Sequence, residues 1–388
     1  MEFWLFFYGY ITSIVLFGYF IPSLQRKFLL ILLLFSIWGV ASFRYMVGTD
    51  YPMYMSWVYG LPIDSIKDIF SGWTEPIPAL IIYLIKSFNF APQMFFIVTE
   101  TIILVLTYIG CNLYFKDISN KILFFSLYVV MMLQGLYFWS MNGIRQSMAL
   151  SLGFVALYFF IVGSRWKFIA LTIVACFFHS SAVFLLIGIF FCKLHFGFKI
   201  KVFVLMCSFI LCISGVSGKI ITFSLKNAYL YGSKYGDILN SIDLVAVPKI
   251  GIAPVLFFLF IISLYYAKKN HLAQKYTKYN FFKIEDIAFG YIVMRLFTNF
   301  SFIGYDISVA GLLETLIHRV EVYFVLLYIV YIVYIIYDFG KGKDIIVRLF
   351  LSLSMVIIFS VESLMVINLM LSDPVGAAHY QMNFDLFR

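Results

Sequence analysis

Residues 28–54 read FLLILLLFSIWGVASFRYMVGTDYPMY, an apolar run that ends at a polar segment. The apolar run predicts a bilayer-spanning helix, which places Arg44 and Asp50 at a membrane surface just after it. Gly48 and Pro52 disfavour a helix in the three residues between them, because glycine adds backbone freedom and proline restricts the residue before it. The polar segment is therefore predicted to be a shaped loop.

Composition places the chain among polytopic membrane proteins. Hydrophobic residues make up 63% of its 388 residues and charged residues 12%, which is more apolar surface than one soluble core can bury. We predict an all-α transmembrane helical bundle of about 10–12 spans in a single integral-membrane domain, residues 1–388. The first apolar run lacks a basic leader and a cleavage site, so we expect it to be retained as a helix. The predicted spans are 3–21, 28–43, 93–115, 122–138, 146–162, 202–222, 252–267, 284–304, 320–337 and 349–371.

Two stretches are ambiguous, and the basic residues favour one topology while leaving the other open. Residues 76–90 can cross the membrane, re-enter it or lie along its interface, and residues 168–192 are long for one helix and short for two. Basic residues in short loops favour the cytoplasm. The best fit leaves 76–90 uncrossed and makes 168–192 a hairpin that turns near His179. Both termini are then external, with a basic cytoplasmic loop at 268–283 and external loops at about 44–92, 223–251 and 305–319.

Four polar motifs fall on the predicted external side. Arg-x-x-x-Gly-Thr-Asp-Tyr-x-x-Tyr begins at Arg44, and Ile-Arg-Gln-x-x-Ala begins at Ile144. Phe-His-x-Ser-Ala begins at Phe178, and Arg-x-x-x-Tyr-Phe begins at Arg319. In this order the motifs resemble the EpsG-like branch of the Wzy polysaccharide polymerases, over roughly residues 30–340.

This resemblance implies a glycosyltransferase of the bacterial inner (cytoplasmic) membrane with a periplasm-facing cavity. Such proteins move a growing glycan from undecaprenyl diphosphate onto a new lipid-linked repeat unit, in the synthesis of O-antigen or exopolysaccharide. The implied partners are the undecaprenyl-diphosphate-linked donor and acceptor, membrane lipids and a chain-length regulator protein. No nucleic acid is expected, because the basic residues form short clusters between spans. We expect no metal and no cofactor, because the sequence carries no ligand spacing or nucleotide-binding motif typical of them.

The candidate site residues follow from what a lipid diphosphate requires. Guanidinium groups are planar, permanently charged donors, so Arg145 and Arg319 are candidates for binding it. Arg145 also lies in the first turn of its helix, where the helix dipole favours an anion. Asp50 and His179 suit removal of a proton from the acceptor hydroxyl, and the sequence leaves open which of them is the base. The catalytic residues are thus Asp50, Arg145 and His179. The predicted substrate-binding residues are Arg44, Thr49, Tyr51, Tyr54, Gln146, Ser180, Arg319 and Tyr323.

Each of these residues also has a purely structural interpretation. Arg44 can be an interfacial anchor, Asp50 a turn residue and His179 a satisfied core residue. Ionisable residues inside spans are costly unless paired, and such pairs either join helices or form the floor of the external cavity. Three residues are expected to be paired for this reason: Glu100, Arg295 and Glu362.

Two other classes of function remain open. A lipid-linked oligosaccharide flippase or transporter would also be helical and basic, but it should show internal repeats and charges at mid-membrane. A membrane acyltransferase acting on polysaccharide would share a polar pocket. The first histidine of the chain is His179, which is late for an enzyme of that kind.

Overall fold

The computed structural model describes most of the chain, and the statements below concern that part alone. The described residues are 2–20, 23–48, 50–115, 126–127, 130, 136–220, 245–248, 253–277, 280–303, 307–340 and 381–382. The predicted span 349–371, with Glu362, lies outside them, and the span 122–138 lies mostly outside them.

The described chain is mostly helical, at 85%. Its elements in chain order are α1 (Glu2–Phe20), α2 (Ser23–Ser42), β1 (Arg44–Tyr45), α3 (Tyr51–Gly60), a first 3-10 helix (Ile66–Phe70), α4 (Pro76–Ser87), α5 (Gln93–Phe115), α6 (Leu136–Asn142), α7 (Ile144–Ile161), α8 (Arg165–Phe178), a second 3-10 helix (Ser180–Leu186), α9 (Ile187–Leu194), α10 (Phe198–Ile213), β2 (Val245–Pro248), α11 (Ala253–Lys269), α12 (Leu272–Lys275), α13 (Phe281–Phe297), β3 (Phe300–Ile303), α14 (Ile307–Gly340) and β4 (Gln381–Met382). The strands form two antiparallel pairs, β1 with β4 and β2 with β3.

Among the described residues, three helical segments are long and apolar enough to cross a membrane. They are Gln93–Phe115, Ile144–Ile161 and Val320–Phe339. These segments coincide with three predicted spans. The larger bundle of ten or more spans and its periplasmic cavity stay predictions.

The chain divides into two compact units, one formed by Met1–Val183 with Ile336–Arg388 and the other by Phe184–Ile335. The core of the first unit contains α7, which packs between α5 and α8. Gly110 of α5 lies so close to α7 that a Cβ atom there would come within 2.2 Å of the Phe154 ring. Small residues permit this approach between helices in membranes. The single-domain interpretation of residues 1–388 stays a prediction.

The polar segment after α2 becomes helical earlier than the sequence suggests. Gly48 adopts φ +98°, a left-handed conformation that favours glycine, and its carbonyl accepts a hydrogen bond from the Tyr51 amide at 3.1 Å. Tyr51 and Pro52 then form the first turn of α3. The expectation of a non-helical Tyr51 is wrong, because proline is well accommodated in a first turn, where its missing N–H would have no partner in the helix.

The predicted interruption at His179 is confirmed. Helix α8 ends at Phe178, and His179 is extended, with φ −159° and ψ 126°. A 3-10 helix follows directly at Ser180. The hairpin and its position in the membrane stay predictions.

In the second unit, α13 packs against α9, α10 and α11. The buried Lys201 of α10 lies 2.6 Å from carboxylate oxygens of both Glu285 and Asp286 on α13. Arg295 of α13 pairs with Glu321 of α14 at 2.5 Å. The expected pairing of Arg295 is therefore confirmed, with a partner that the sequence had not indicated.

Candidate active site

The first unit brings three elements together around Arg145, which lies in the first turn of α7. Its Nη1 atom is 2.5 Å from Oε2 of Glu75, the residue before α4. The guanidinium carbon lies 4.8 Å from the centroid of the Trp57 ring. The Tyr54 hydroxyl oxygen accepts a hydrogen bond from the Arg145 guanidinium. We call Tyr54, Trp57, Glu75 and Arg145 the Arg145 cluster.

Helix α3 is held so that Tyr54 and Trp57 reach Arg145. Its buried residues Tyr51, Tyr54 and Val58 recur at helical spacing and form one face. Tyr51 stacks on Phe96 of α5 with ring centroids 4.5 Å apart, and Tyr54 stacks on the neighbouring Phe95 at 5.5 Å. Aromatic packing on α5 therefore fixes the position of the Tyr54 hydroxyl.

The charge of Arg145 keeps Glu75 ionised, and burial keeps Tyr54 neutral. Burial raises the pKa of Glu75, but the charge and hydrogen bond of Arg145 outweigh it and hold that pKa below its usual value. His179 is close enough to lower it further when the imidazole is protonated. Burial raises the pKa of Tyr54, Arg145 opposes this rise, and the negative charge of Asp50 adds to it. Asp50 and His179 therefore both lie within electrostatic reach of the cluster.

The hydrogen bonds of His179 identify its tautomer. The backbone N–H of Ser181 donates to Nδ1 at 3.2 Å, and the Ser181 hydroxyl oxygen lies 2.8 Å from the same atom. A backbone amide can only donate, so Nδ1 is an acceptor and the neutral ring carries its proton on Nε2. The buried His179 therefore presents a hydrogen-bond donor at Nε2.

Arg44 is buried within the protein, and its expected depth at the membrane surface stays a prediction. Its side chain is 0% exposed, and Nη1 pairs with Oε1 of Glu100 at 2.9 Å and also donates to the Ala41 carbonyl. Its Nη2 donates to the carbonyl of Met141 at 3.4 Å, and Ser140 donates to the other oxygen of Glu100 at 3.3 Å. This confirms the expected pairing of Glu100. The pair fastens the end of α6, just before the first turn of α7.

Gly48 packs against the junction between α6 and α7. A Cβ atom at Gly48 would lie 2.6 Å from the Asn142 side-chain oxygen and 2.8 Å from the Met141 carbonyl. Only Gly143 separates α6 from α7, and its N–H donates to Trp139 at 2.8 Å. Helix α7 thus begins directly after another helix. At its start the Arg145 side chain is a better-defined anion-binding group than the backbone N–H groups of the first turn.

Other predicted site residues of the first unit are also part of its packing. Tyr51 is fully buried, and its hydroxyl donates to Gln93 at 3.2 Å. The Gln93 amide donates in turn to the Ser42 carbonyl at 2.6 Å, which connects α5 to the end of α2. Gln146 is buried in the first turn of α7, whereas Ser180 is exposed beside His179.

Three further substrate contacts are predicted, at Thr49, Arg319 and Tyr323. Thr49 lies outside the described residues. Tyr323 is fully buried in the second unit, and Arg319 belongs to α14, with its side chain outside the described part of the chain. All three stay predicted contacts.

Sequence reasoning missed Glu75, although two signals pointed to it. Glu75 directly precedes Pro76-Ile-Pro78, at the boundary between a polar segment and an apolar helix. Arg145 was placed at the start of a membrane helix, where a partly buried cation needs a counter-charge. Glu75 is 70 residues from Arg145, however, and no local pattern pairs the two.

Comparison with known families decides the class of the protein. The sequence model of the EpsG family matches residues 27–380, nearly the whole chain. The chain belongs to the EpsG family. Neither a curated protein nor a solved structure gives a significant match. Membership of the EpsG family and the apolar helices indicate a membrane protein with a polymerase-type function in polysaccharide biosynthesis.

Proposed function

We propose that this EpsG-family protein polymerises undecaprenyl-diphosphate-linked repeat units of O-antigen or exopolysaccharide at the periplasmic face of the inner membrane. The observation that carries the proposal is the Arg145 cluster. It holds an arginine side chain that is 24% exposed where three elements meet. In a membrane polysaccharide polymerase, the substrate anion that calls for such a group is the lipid-linked diphosphate.

Arg145 binds the diphosphate, and its neighbours orient it. A guanidinium has five N–H donors, and the pair with Glu75 uses Nη1, which leaves donors for phosphate oxygens. Glu75 and the ring of Trp57 restrict the orientation of the group, so less side-chain entropy is lost when substrate binds. Arg44 and Tyr51 act as positioning residues, since both are buried away from the surface.

In the transfer step, the acceptor hydroxyl attacks the anomeric carbon of the donor glycan. The bond from that carbon to the diphosphate oxygen breaks, and the lipid diphosphate leaves with the electron pair. Arg145 stabilises the negative charge that develops on it. Asp50 takes the hydroxyl proton, because Nδ1 of His179 already accepts an amide hydrogen bond and Nε2 carries a proton. His179 adds positive charge beside the cluster when its imidazole is protonated.

The remaining predicted residues complete this scheme. Thr49 and Ser180 contact sugar hydroxyls, and the buried Gln146 positions the first turn of α7. Arg319 and Tyr323 contact the second lipid-linked substrate. A chain-length regulator protein is the proposed macromolecular partner, and the surrounding phospholipid is the medium of the reaction.

The test uses the purified full-length protein in lipid nanodiscs, supplied with lipid-linked repeat units, with products resolved on a gel. Wild-type protein should produce a ladder of chain lengths. Arg145→Lys should slow ladder formation by about 10- to 150-fold, because an ammonium lacks the planar fork of donors. Asp50→Asn should slow it by about 10²- to 10⁴-fold, with a smaller change in the substrate concentration needed.

Arg165→Lys is the matched control, because Arg165 is an exposed arginine that also begins a helix. It should retain the wild-type ladder. Failure of the wild-type protein to form any ladder would remove the polymerase proposal. A normal ladder from Arg145→Lys would remove the role given to Arg145.

A further inference from the structure

An exposed apolar surface adjoins the Arg145 cluster in the chain between α3 and α5. On the first 3-10 helix and the turn after it, Ile66, Phe70 and Trp73 are 65%, 74% and 58% exposed. Exposed apolar residues continue along α4 at a spacing of four. We call these six residues the 66–88 surface: Ile66, Phe70, Trp73, Leu80, Leu84 and Phe88.

The 66–88 surface is carried on a well-packed support. Ile63 and Ile69 are buried beside the exposed residues, and the 3-10 helix packs against α4. Ser65 and Asp68 form a capping box that fixes the start of the 3-10 helix. On α4, Ile82 is among the residues buried on the opposite side. The exposed side chains are therefore held outward by the fold.

Neither bulk water nor a membrane crossing suits this surface. Exposing apolar area to water costs roughly 25 cal/mol per Å², and half or more of the area of each of Ile66, Phe70 and Trp73 is exposed. Helix α4 has 12 residues. At about 1.5 Å per residue it reaches roughly 18 Å, short of the ~30 Å hydrocarbon core. A position along the interface satisfies both constraints.

The charges of the segment fit the same position. The Ser65 side chain and backbone donate to Asp68 and hold its pKa below the usual range. Asp64 pairs with Lys86 at 3.3 Å and Glu75 pairs with Arg145, so all three carboxylates of residues 64–88 have internal partners. Lys67 is exposed in the last turn of the 3-10 helix, where an anionic lipid phosphate can pair with it.

We propose that the 66–88 surface lies in one membrane interface, with phospholipid as its occupant. Its apolar side chains insert into the boundary between headgroups and acyl chains, as amphipathic segments rich in aromatic residues do. Glu75 follows Trp73 by two residues, so the Arg145 cluster lies at headgroup depth. The position of the surface in the membrane does not depend on the proposed reaction. The placement of the Arg145 cluster beside a lipid-linked diphosphate does rest on the proposed function.

The experiment measures which environment surrounds single labelled positions. The three half-buried cysteines are replaced by alanine, and the two buried ones are retained. Phe70→Cys and Trp73→Cys each receive an environment-sensitive fluorophore, and Ile66→Cys gives an independent third position. Ser71→Cys is the matched control, because Ser71 is an exposed polar residue of the same segment. The full-length protein is placed in nanodiscs of phosphatidylethanolamine and phosphatidylglycerol.

The labels at residues 66, 70 and 73 should emit at shorter wavelength than the label at Ser71. A nitroxide attached to the lipid acyl chain near the headgroup should quench them several-fold more than it quenches the control, and aqueous iodide should show the reverse order. These positions are exposed, so cysteine there should leave packing and the circular dichroism spectrum unchanged. If iodide quenches the labels at 66, 70 and 73 as strongly as the label at Ser71, the surface faces water and the proposal is overturned.

Discussion

Replacing Glu100 with glutamine should destabilise the protein strongly, because it leaves the Arg44 guanidinium buried without its counter-charge. The guanidinium is 0% exposed and lies 2.9 Å from the Glu100 carboxylate. Removing one partner of a buried ion pair costs about 3–5 kcal/mol. At about 1.4 kcal/mol per factor of ten, the unfolded fraction should rise by roughly 10²- to 4 × 10³-fold.

The double variant Arg44→Met with Glu100→Leu separates the cost of an unpaired buried charge from the cost of losing the ion pair itself. It removes both charges and keeps side chains of similar volume, so it should be closer to wild type than either single variant. Some loss will remain, because the Ala41 and Met141 carbonyls lose the Arg44 donor. The ion pair thus behaves as a buried unit, and its two halves are not additive.

The measurement is denaturant unfolding of the full-length protein in mixed micelles, followed by circular dichroism. Asp64→Asn is the matched control, because it breaks an ion pair with Lys86 in which Asp64 is 77% exposed. That loss should cost under about 1 kcal/mol. If the free energy of unfolding of Glu100→Gln lies within about 0.5 kcal/mol of the wild-type value, Arg44 is not buried against Glu100. The packing of β1 on α5 and α6 is then refuted.

Three further changes test the cluster and its support. Arg145 lowers the pKa of Glu75 on folding, so the ion pair stabilises the protein fully above the unfolded-state pKa of Glu75 and loses this effect as the pH falls through the folded-state pKa. The free energy of unfolding, measured from pH 7 to about pH 3, should therefore fall. Glu75→Gln should reduce that fall. Gly48→Ala should lower the melting temperature much more than Gly72→Ala does. Both glycines have positive φ, but of the two only Gly48 has neighbours within 4 Å of an added Cβ atom. Equal decreases in melting temperature would contradict the close approach at Gly48. Tyr54→Phe should slow ladder formation by about tenfold with unchanged unfolding, since it removes the hydroxyl bonded to Arg145; unchanged rates would exclude Tyr54 from the site.

Much of the architecture follows from local properties of the chain. A run of span length such as 93–115 must satisfy its backbone hydrogen bonds internally in lipid, so its helix is decided by composition alone. The break at His179 was predicted from the charges on both sides of one apolar run and from its length. Residues 349–371, by contrast, lie outside the described chain, and that span stays a prediction.

The chemistry-bearing contacts were set by tertiary packing. The sequence named Arg145 as the diphosphate-binding residue, because residue type and position at a helix start are local features. It could not name Glu75, which is 70 residues away in the chain. It could not pair Arg44 with Glu100, which lies 56 residues further on, because the pattern around Arg44 carries no information about so distant a residue.

The sequence by itself therefore determined the class of protein, the helices and the kinds of side chain available for the reaction. Only the tertiary structure decided which charges meet. Hydrophobic burial is non-directional and can be inferred from composition, whereas an ion pair or hydrogen bond requires two atoms within about 3 Å. That distance depends on the packing of α3 on α5 and on the junction of α6 with α7, which no local pattern specifies.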